Sequence, residues 1–387
     1  MKHRAGEAAR LNVDVSELMQ PPTGVQNYIA ATLRQVAHLA PNLGLSLLMP
    51  GRSCNLSGLP AEILPRASVH CMGMPSALRP RLLFNQLAWR AQPPADAFWG
   101  PAYLIPLGRQ RMPRILTFYD FSPLQSRHRW SDLQNRLLAL MVRASLRQAE
   151  AVQVISHTMR AEVIATGWVP AERIFVGYPE ASSIFGPGSD PPSLLARYSL
   201  EPQAYFLSVG TLLPRKNYPT LLDAYGRWRA QSAVVNPPRL VIVGNRWQDY
   251  RAVQELHARH PNRDSIDLLE NVLTSDLPGL YRQARALIFP SLYEGFGIPI
   301  LEAMACGCPV LCSELPIFRE VAGDAALYFD PQDPSELASL LGQTGVEELA
   351  AVRQRAAKRS GVGWPGAGRS LLDALEMVQA GLPRGKP

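Results

Sequence analysis

Short apolar runs alternate with amphipathic stretches along almost the whole chain. In the first half, LNVDV (11–15), LGLSLLM (43–49), ASVHCM (67–72), RILTFY (114–119), AVQVIS (151–156) and RIFVGY (173–178) read as strands. Helical periodicity lies between several of them, notably over 24–39 and 131–149. A Pro- and Gly-rich stretch, SSIFGPGSDPPSLLARYSLEPQ (182–203), then breaks the pattern and predicts a linker, set at 186–203. In the second half, YFLSVG (205–210), RLVIVG (239–244), SIDLLE (265–270), ALIFP (286–290), PVLCS (309–313) and AALYF (325–329) read as strands separated by helices. Continuously apolar strands suit a parallel sheet covered on both faces. The repeated strand–helix unit predicts an α/β fold of two Rossmann-like, doubly wound domains with a cleft between them, ligands lying at the carboxyl ends of the strands. The last stretch, 346–380, reads as helical apart from a Gly/Pro break.

Length agrees with two domains, since 387 residues exceed one ordinary core. Composition is that of a globular protein, 47% hydrophobic and 18% charged. No apolar run approaches a membrane span, and the N-terminus has no apolar signal-peptide core, so the expected compartment is the cytoplasm. Five cysteines fit free thiols in a reducing compartment.

The net charge of +7 is uneven: residues 1–185 carry +8 and the remainder −1. Arginines cluster at Arg79, Arg81 and Arg90, at Arg109, Arg111 and Arg114, and at Arg127, Arg129, Arg136, Arg143 and Arg147. Such clusters are either a solvated surface or an attraction to lipid headgroups or a diphosphate-bearing acceptor. No nucleic-acid-binding motif accompanies them, which ranks nucleic acid last.

Two loops carry candidate chemistry. In SVGTLLPRKNYPTLLDAY (208–225) a strand ends at Gly210, Arg215 and Lys216 follow, and Pro219 suits a first helical turn. Cations between a strand end and a helix N-terminus make a diphosphate clamp; the alternative is a pair of solvated charges. In YEGFGIPILEAMACGCPVLCS (293–313), Gly295 and Gly297 permit close backbone approach, Glu294 lies in the loop and Glu302 falls about one turn into the helix. Two acceptor-only carboxylates suit a hydroxyl-rich ligand. Alternatively, Glu302 offsets the helix dipole and Glu294 is solvated. Cys306, Cys308 and Cys312 do not have zinc-ligand spacing and read as packing. The match GVGWPG (361–366) to a dinucleotide fingerprint follows no strand, and there is no DxD for a metal–diphosphate complex.

On these residues the chain resembles retaining glycosyltransferases of family 4, which have the GT-B fold. EGFGIPILEAMACGCPVLCSELPIFREVAGDAALYFDPQDP looks like their donor-binding signature, with Glu294 and Glu302 as its paired glutamates, and VGTLLPRKNYPTLLDAY resembles their phosphate loop. LNVDVSELMQPPTGVQNYIAATLRQV is similar to their opening strand, Gly-bearing loop and first helix. The resemblance implies an acceptor-binding domain at 1–185, a nucleotide-sugar-binding domain at 204–365, and a C-terminal helix at 366–387 that packs back on the first domain. It implies that Arg215 and Lys216 hold and stabilise a departing diphosphate. Glu294, with the backbone of Gly295, Phe296 and Gly297, would bond the donor sugar, Glu302 the ribose, and Gly24 and Gly210 would approach the donor phosphates. The implied reaction moves a hexose, mannose favoured, from GDP-mannose or another NDP-hexose to a glycan or lipid-linked glycan, with retention and without metal or cofactor. The basic charge of residues 1–185 makes an anionic membrane surface a further expected partner, with the enzyme peripheral on the inner face of the plasma membrane.

The chain departs from the family pattern where many members carry His before Asp: here Tyr119 precedes Asp120. Near pH 7 a neutral tyrosine is a poor base but bonds hydroxyls and phosphates, so Tyr119 and Asp120 become the acceptor-side candidates, Asp120 alternatively capping a turn. Thr211 also stands where the family often has Arg. Three rival readings follow: a phosphorylase-like enzyme holding pyridoxal phosphate, a non-catalytic nucleotide-sugar-binding scaffold, and a basic nucleic-acid or lipid module.

Overall fold

The computed structural model describes residues 9–19, 24–49, 59–72, 86, 89, 92–125, 132–191, 193–244, 250–343, 345–359 and 364–381. The chain forms two compact units, residues 1–180 with 364–387, and residues 181–363.

In the first unit seven parallel strands are ordered β3-β2-β1-β4-β5-β6-β7. They are β1 Arg10–Asp14, β2 Gly44–Met49, β3 Ala67–Cys71, β4 Ala97–Gly100, β5 Arg114–Phe118, β6 Ala151–Val154 and β7 Ile174–Val176. Helices α1 (Gly24–Leu39), α2 (Asp132–Gln148) and α3 (His157–Ala165) connect them, Ser156 capping α3 through its hydroxyl. The order reverses between β1 and β4, which makes a doubly wound sheet with a switch point. β4, AFWG, is absent from the sequence reading because it is four residues long and sits between a Pro-rich stretch and Pro101. Gly100 is required there, since a Cβ would meet the Leu104 carbonyl at 2.2 Å. Polar side chains inside this sheet are satisfied in a chain: Trp99 Nε1 donates to Thr117 Oγ1 (2.8 Å), which donates to Gln153 Oε1 (3.0 Å). Gln153 Nε2 then donates to the Ala367 carbonyl (2.7 Å).

In the second unit six parallel strands are ordered β10-β9-β8-β11-β12-β13. They are β8 Tyr205–Val209, β9 Arg239–Val243, β10 Ile266–Leu269, β11 Ala286–Phe289, β12 Val310–Ser313 and β13 Leu327–Phe329. The helices are α4 (Tyr218–Gln231), α5 (Tyr250–Arg259), α6 (Leu277–Gln283), α7 (Ile298–Ala305), α8 (Pro316–Ala322), α9 (Pro334–Gln343) and α10 (Val346–Arg359). The switch point falls between β8 and β11, the two strands whose following loops the sequence singles out.

Two boundaries differ from the sequence reading. Residues 186–203 pack into the second unit rather than forming a linker: Asp190 pairs with Arg282, accepts from Gln283 Nε2 at 3.0 Å, and Leu194 is buried. The second unit ends at Gly363, and α11 (Ala367–Gln379) lies on α1 in the first, where Gly368 N donates to Gln35 Oε1 at 2.7 Å. A Cβ at residue 368 would sit 2.3 Å from that of Gln35, so glycine sets how closely the helices approach. Cysteine usage also differs. Cys306, Cys308 and Cys312 are free and buried, but Cys71, at the end of the edge strand, is disulfide-bonded.

The basic clusters divide. Arg79, Arg81, Arg90, Arg127 and Arg129, and Gly361–Gly363 of the GVGWPG match, lie outside the described residues. Arg114 is not a surface cation. It is buried, donates to the carbonyls of Pro106, Gly108 and Gln148 (2.8, 3.0 and 2.6 Å), and pairs with Glu150 at 3.1 Å. Removing one member of a buried pair leaves the other uncompensated. Arg114→Ala is therefore expected to destabilise the chain by about 3–5 kcal/mol in urea unfolding, whereas R109A at an exposed position stays within about 0.5 kcal/mol. Equal effects would contradict the structural role given to Arg114.

Candidate active site

The site residues of the second unit follow the two strands at its switch point. After β8, Gly210 adopts a positive φ of 155°, and its backbone packs against the next strand end. A Cβ on Gly244 would lie 2.3 Å from the Gly210 carbonyl, so two strands ending in Val-Gly can bring their loops together only without side chains. The chain then makes a 3₁₀ turn over Pro214–Lys216 and reverses at Asn217, whose φ is 57°. Asn217 commits both ends of its amide: Nδ2 donates to the Pro331 carbonyl (2.7 Å) and Oδ1 accepts from Thr220 Oγ1 (2.8 Å). Lys216 is thereby fixed at the head of α4, with Pro219 in the first turn.

After β11, Glu294 is buried between the two cations. Lys216 Nζ lies 2.5 Å from Glu294 Oε1, and Arg215 Nη1 lies 2.5 Å from Oε2. Ser291 Oγ donates to Oε1 at 2.9 Å, and Lys216 Nζ sits 4.5 Å from the centre of the Phe289 ring. Leu292 N donates to the Arg215 carbonyl (2.7 Å) and Arg215 Nη1 to the Tyr293 carbonyl (3.1 Å), so backbone bonds hold one loop against the other. Burial pushes the Glu294 carboxyl up, but Lys216 and then Arg215 outweigh it and hold it at about 2. The carboxylate stays charged at neutral pH, and the cluster keeps one net positive charge. The sequence reading assigned the cations and Glu294 to different parts of a ligand; the structure makes them partners.

Glu302 has the opposite environment. It lies in α7, whose N-cap Gly297 has φ 104°, with Phe318 Cε1 3.0 Å from where a Cβ would stand. Tyr281 donates to Glu302 Oε2 at 2.9 Å. Burial raises the Glu302 carboxyl to about 7, against the lowering effect of that hydrogen bond. Phe296 is buried in the loop before α7, next to Gly295.

Gly24, Tyr119 and Asp120 belong to the first unit. Gly24 opens α1. Tyr119 and Asp120 stand at the carboxyl end of β5. Tyr119 is buried, donates to the Pro101 carbonyl at 2.7 Å, and meets Tyr28 and Tyr103 edge to face at 5.3 and 5.4 Å. Asp120 Oδ1 accepts from Ser122 N (2.9 Å) and from Tyr103 Oη (3.1 Å), so it caps the turn and orders an aromatic side chain. Sequence reasoning passed over Ser291, Tyr281, Phe289, Asn217 and Gly244. Only Gly244 had a signal, the Val-Gly strand end repeated from Val209-Gly210.

The three thiols of the signature stretch are inert. Burial lifts Cys306 to about 11, Cys308 to about 12 and Cys312 higher still. Among the described residues no group of three or more His, Cys, Asp or Glu is placed to hold a metal ion. No described helix is long and apolar enough to cross a membrane.

A family model described as glycosyl transferases group 1 matches residues 196–358. The O-antigen chain mannosyltransferase B of Escherichia coli is 35% identical over 261 residues, covering 66% of this chain and 67% of that one. The O-antigen chain mannosyltransferase RfbU of Salmonella typhimurium is 29% identical over 247 residues, 64% of each chain. The matches thus span about two thirds of these relatives' lengths. The solved structure of WaaG, a glycosyltransferase involved in lipopolysaccharide biosynthesis, gives a TM-score of 0.71 at 15% identity, covering 96% of this chain and 100% of that one. The fold is α/β of the GT-B class, with two Rossmann-like parallel-sheet units.

The two glutamates respond oppositely to pH. The depressed Glu294 contributes stability above about 4.5 that is lost as pH falls toward about 2. For the raised Glu302, the contribution is complete below 4.5 and is lost as pH rises through about 7. Glu302→Gln should therefore remove a fall in stability between pH 4.5 and 7, worth at most about 3 kcal/mol. Urea midpoints of wild type and variant should diverge in the variant's favour as pH rises across that range; parallel curves would contradict the assignment.

Proposed function

Because the chain belongs to the group 1 glycosyltransferases, we propose that it moves a mannosyl group from a nucleotide-sugar to a hydroxyl of a glycan or lipid-linked glycan, with retained anomeric configuration and without metal or cofactor. The donor is GDP-mannose or another NDP-hexose. The observation that carries the reading is the Glu294 carboxylate held between Lys216 and Arg215 at the switch point of the second sheet. The mannosyltransferase names of two sequence relatives support the sugar.

A diphosphate carries more charge than one carboxylate and offers more acceptor oxygens. On entering it competes with Glu294 for Lys216 and Arg215, and Glu294 turns its oxygens to the hydroxyls of the donor sugar. Each charge-assisted bond of this kind contributes roughly 1.5–3 kcal/mol. Glu302 bonds the ribose; at about 7 its carboxyl is available in both charge forms near neutrality. Gly210, Gly295, Phe296 and Gly297 bring backbone close to the donor, and Gly24 opens the corresponding helix of the first unit.

In the transfer, the bond between the anomeric carbon and the leaving phosphate oxygen breaks while the acceptor oxygen bonds the same carbon from the same face. The acceptor's proton passes to a phosphate oxygen of the departing diphosphate. Lys216 and Arg215 stabilise the negative charge that develops, commonly a large term in catalysis. Asp120 is the acceptor-side candidate whose carboxylate can accept a hydrogen bond from an acceptor hydroxyl; Tyr119, with its hydroxyl given to Pro101, acts by shaping that end of the sheet. The enzyme would work in the cytoplasm, peripheral on the inner face of the plasma membrane, where lipid-linked acceptors are presented.

Lys216→Ala is expected to lower release of nucleoside diphosphate, scored over a panel of NDP-hexoses, by about 100-fold or more. Wild-type turnover in a folded variant would overturn the clamp. Glu294→Gln should reduce transfer while nucleoside diphosphate still binds in a thermal-shift assay. Equal loss of both would move Glu294 from the sugar to the nucleotide.

A further inference from the structure

The stretch from Phe185 to Gln203 closes on one short helix, α6 (Leu277–Gln283). At the amino end of that helix, Asp276 accepts from Arg197 Nη1 (2.5 Å) and Tyr198 Oη (2.7 Å). At its carboxyl end, Arg282 pairs with Asp190 and donates to the Gly186 carbonyl (2.8 Å), and Gln203 Nε2 donates to the Ala284 carbonyl (3.1 Å). Between the two ends Gly279 leaves room for the stretch: a Cβ there would lie 2.1 Å from Leu194 Cδ2 and 2.7 Å from Asp190 Oδ1. Phe185 meets the Tyr281 ring edge to face, with centroids 5.9 Å apart. Tyr281 is fully buried, and burial first, then the Glu302 charge, keeps its proton in place. That hydroxyl donates to Glu302 Oε2 at 2.9 Å, while Glu302 Oε1 takes no hydrogen bond among the described residues.

Among the described residues no cation pairs with this carboxylate. Cys306 and Cys308, which act on Tyr281 as well, are thiols kept protonated by burial. Arg282 and Asp190 neutralise each other, and Arg319 of α8 pairs with Glu314. On α10, Arg353 donates to Gln203 Oε1 (2.8 Å) and Arg359 to the Val321 carbonyl (2.8 Å). The tyrosine hydroxyl is thus the one group that favours the charged form of Glu302 against burial.

We propose that Tyr281 is the positioning residue for Glu302: its hydroxyl occupies one carboxylate oxygen and turns the other to the ribose hydroxyls of the donor, and the stretch 185–203 seats Tyr281 by gripping α6. This rests on the reading above that Glu302 bonds the ribose. A charged carboxylate accepts from a hydroxyl more strongly than a neutral one, so the same bond that orients Glu302 also sets how well it recognises ribose. The stretch follows directly on residue 180, where the first part of the other unit ends. The segment that carries the chain into the second unit therefore controls a donor contact.

The test follows the Glu302 carboxyl by carbon-13 NMR in the whole chain, as the glutamate resonance that E302Q removes. In the wild type it should titrate at about 7. Y281F keeps the ring and loses only the hydroxyl, so the midpoint should rise. F185L, which loosens the seat of Tyr281, should move it the same way and less far. Binding is read by calorimetry with GDP and 2′,3′-dideoxy-GDP, and with the matching UDP pair. The members of a pair share one phosphate titration, so their ratio reports the ribose contact alone. Well above the midpoint the wild type should prefer the ribose form by about tenfold or more. That preference should fall as pH drops through the midpoint, and in Y281F it should fall at a higher pH. An unmoved midpoint in folded Y281F, or a wild-type pH profile of the ribose preference in that variant, would overturn the positioning role. An unmoved midpoint in F185L would overturn the part given to the stretch. Should Y281F not fold, F185L decides: a raised midpoint supports the relay through Tyr281 and an unchanged one overturns it. If the midpoints move as expected while the wild type prefers neither ribose form, the ribose reading of Glu302 fails and the hold of Tyr281 on the carboxyl stands.

Discussion

A carboxylate buried between two cations is the interaction on which the second unit's functional end depends. Glu294, Lys216 and Arg215 come from loops after β11 and β8, neighbours in space that are distant in sequence. Neither Glu294 nor Lys216 would tolerate its position alone, because an unpaired ion so deeply buried carries a desolvation cost of several kcal/mol. Each therefore fixes the others. The two loops are joined further by Leu292 N on the Arg215 carbonyl and by Ser291 on the carboxylate. With one carboxylate between two cations, the trio keeps one net positive charge.

Holding that cluster falls to residues with no charge. Asn217 takes the left-handed conformation that ends the 3₁₀ turn and ties it to Pro331, so the lysine emerges at one angle. Gly244 allows the β8 and β9 strand ends to approach to a distance a methyl group would forbid. The positions of these charged groups are fixed by amide bonds and missing side chains. The two glutamates share one loop-and-helix segment yet have carboxyls at about 2 and about 7. Two cations account for the first, and burial with only a tyrosine hydroxyl for company accounts for the second.

Most of the architecture was legible because parallel strands buried on both faces leave continuous apolar runs. Every expected strand formed, each within a few residues of its run, while β4 escaped because four residues between prolines leave no such run. The linker was misread for a related reason. Proline and glycine report an irregular backbone but not whether it is packed, and Asp190 and Leu194 anchor this one. In the site, Arg215, Lys216, Glu294 and Glu302 stood out by charge type and by their place after strands. Their pairing did not, since it depends on which strands lie side by side. Ser291 and Tyr281 were invisible because a hydroxyl near a carboxylate is ordinary in sequence and meaningful only at hydrogen-bond distance. Arg114 shows the converse: a charge counted with a surface cluster proved to be buried at the start of β5, bonded to three carbonyls and the Glu150 carboxylate.

The separation of roles between the units follows from where charge is buried and where it is exposed. In the second unit the charges of the trio are enclosed, so the position and charge state of each are set by the others. In the first, Arg136, Arg143 and Arg147 of α2 and Arg109 and Arg111 of the adjoining loop are exposed, so their effect is long-ranged and screened by salt. An enclosed cluster gives discrimination between ligands, and an open one gives concentration at a surface.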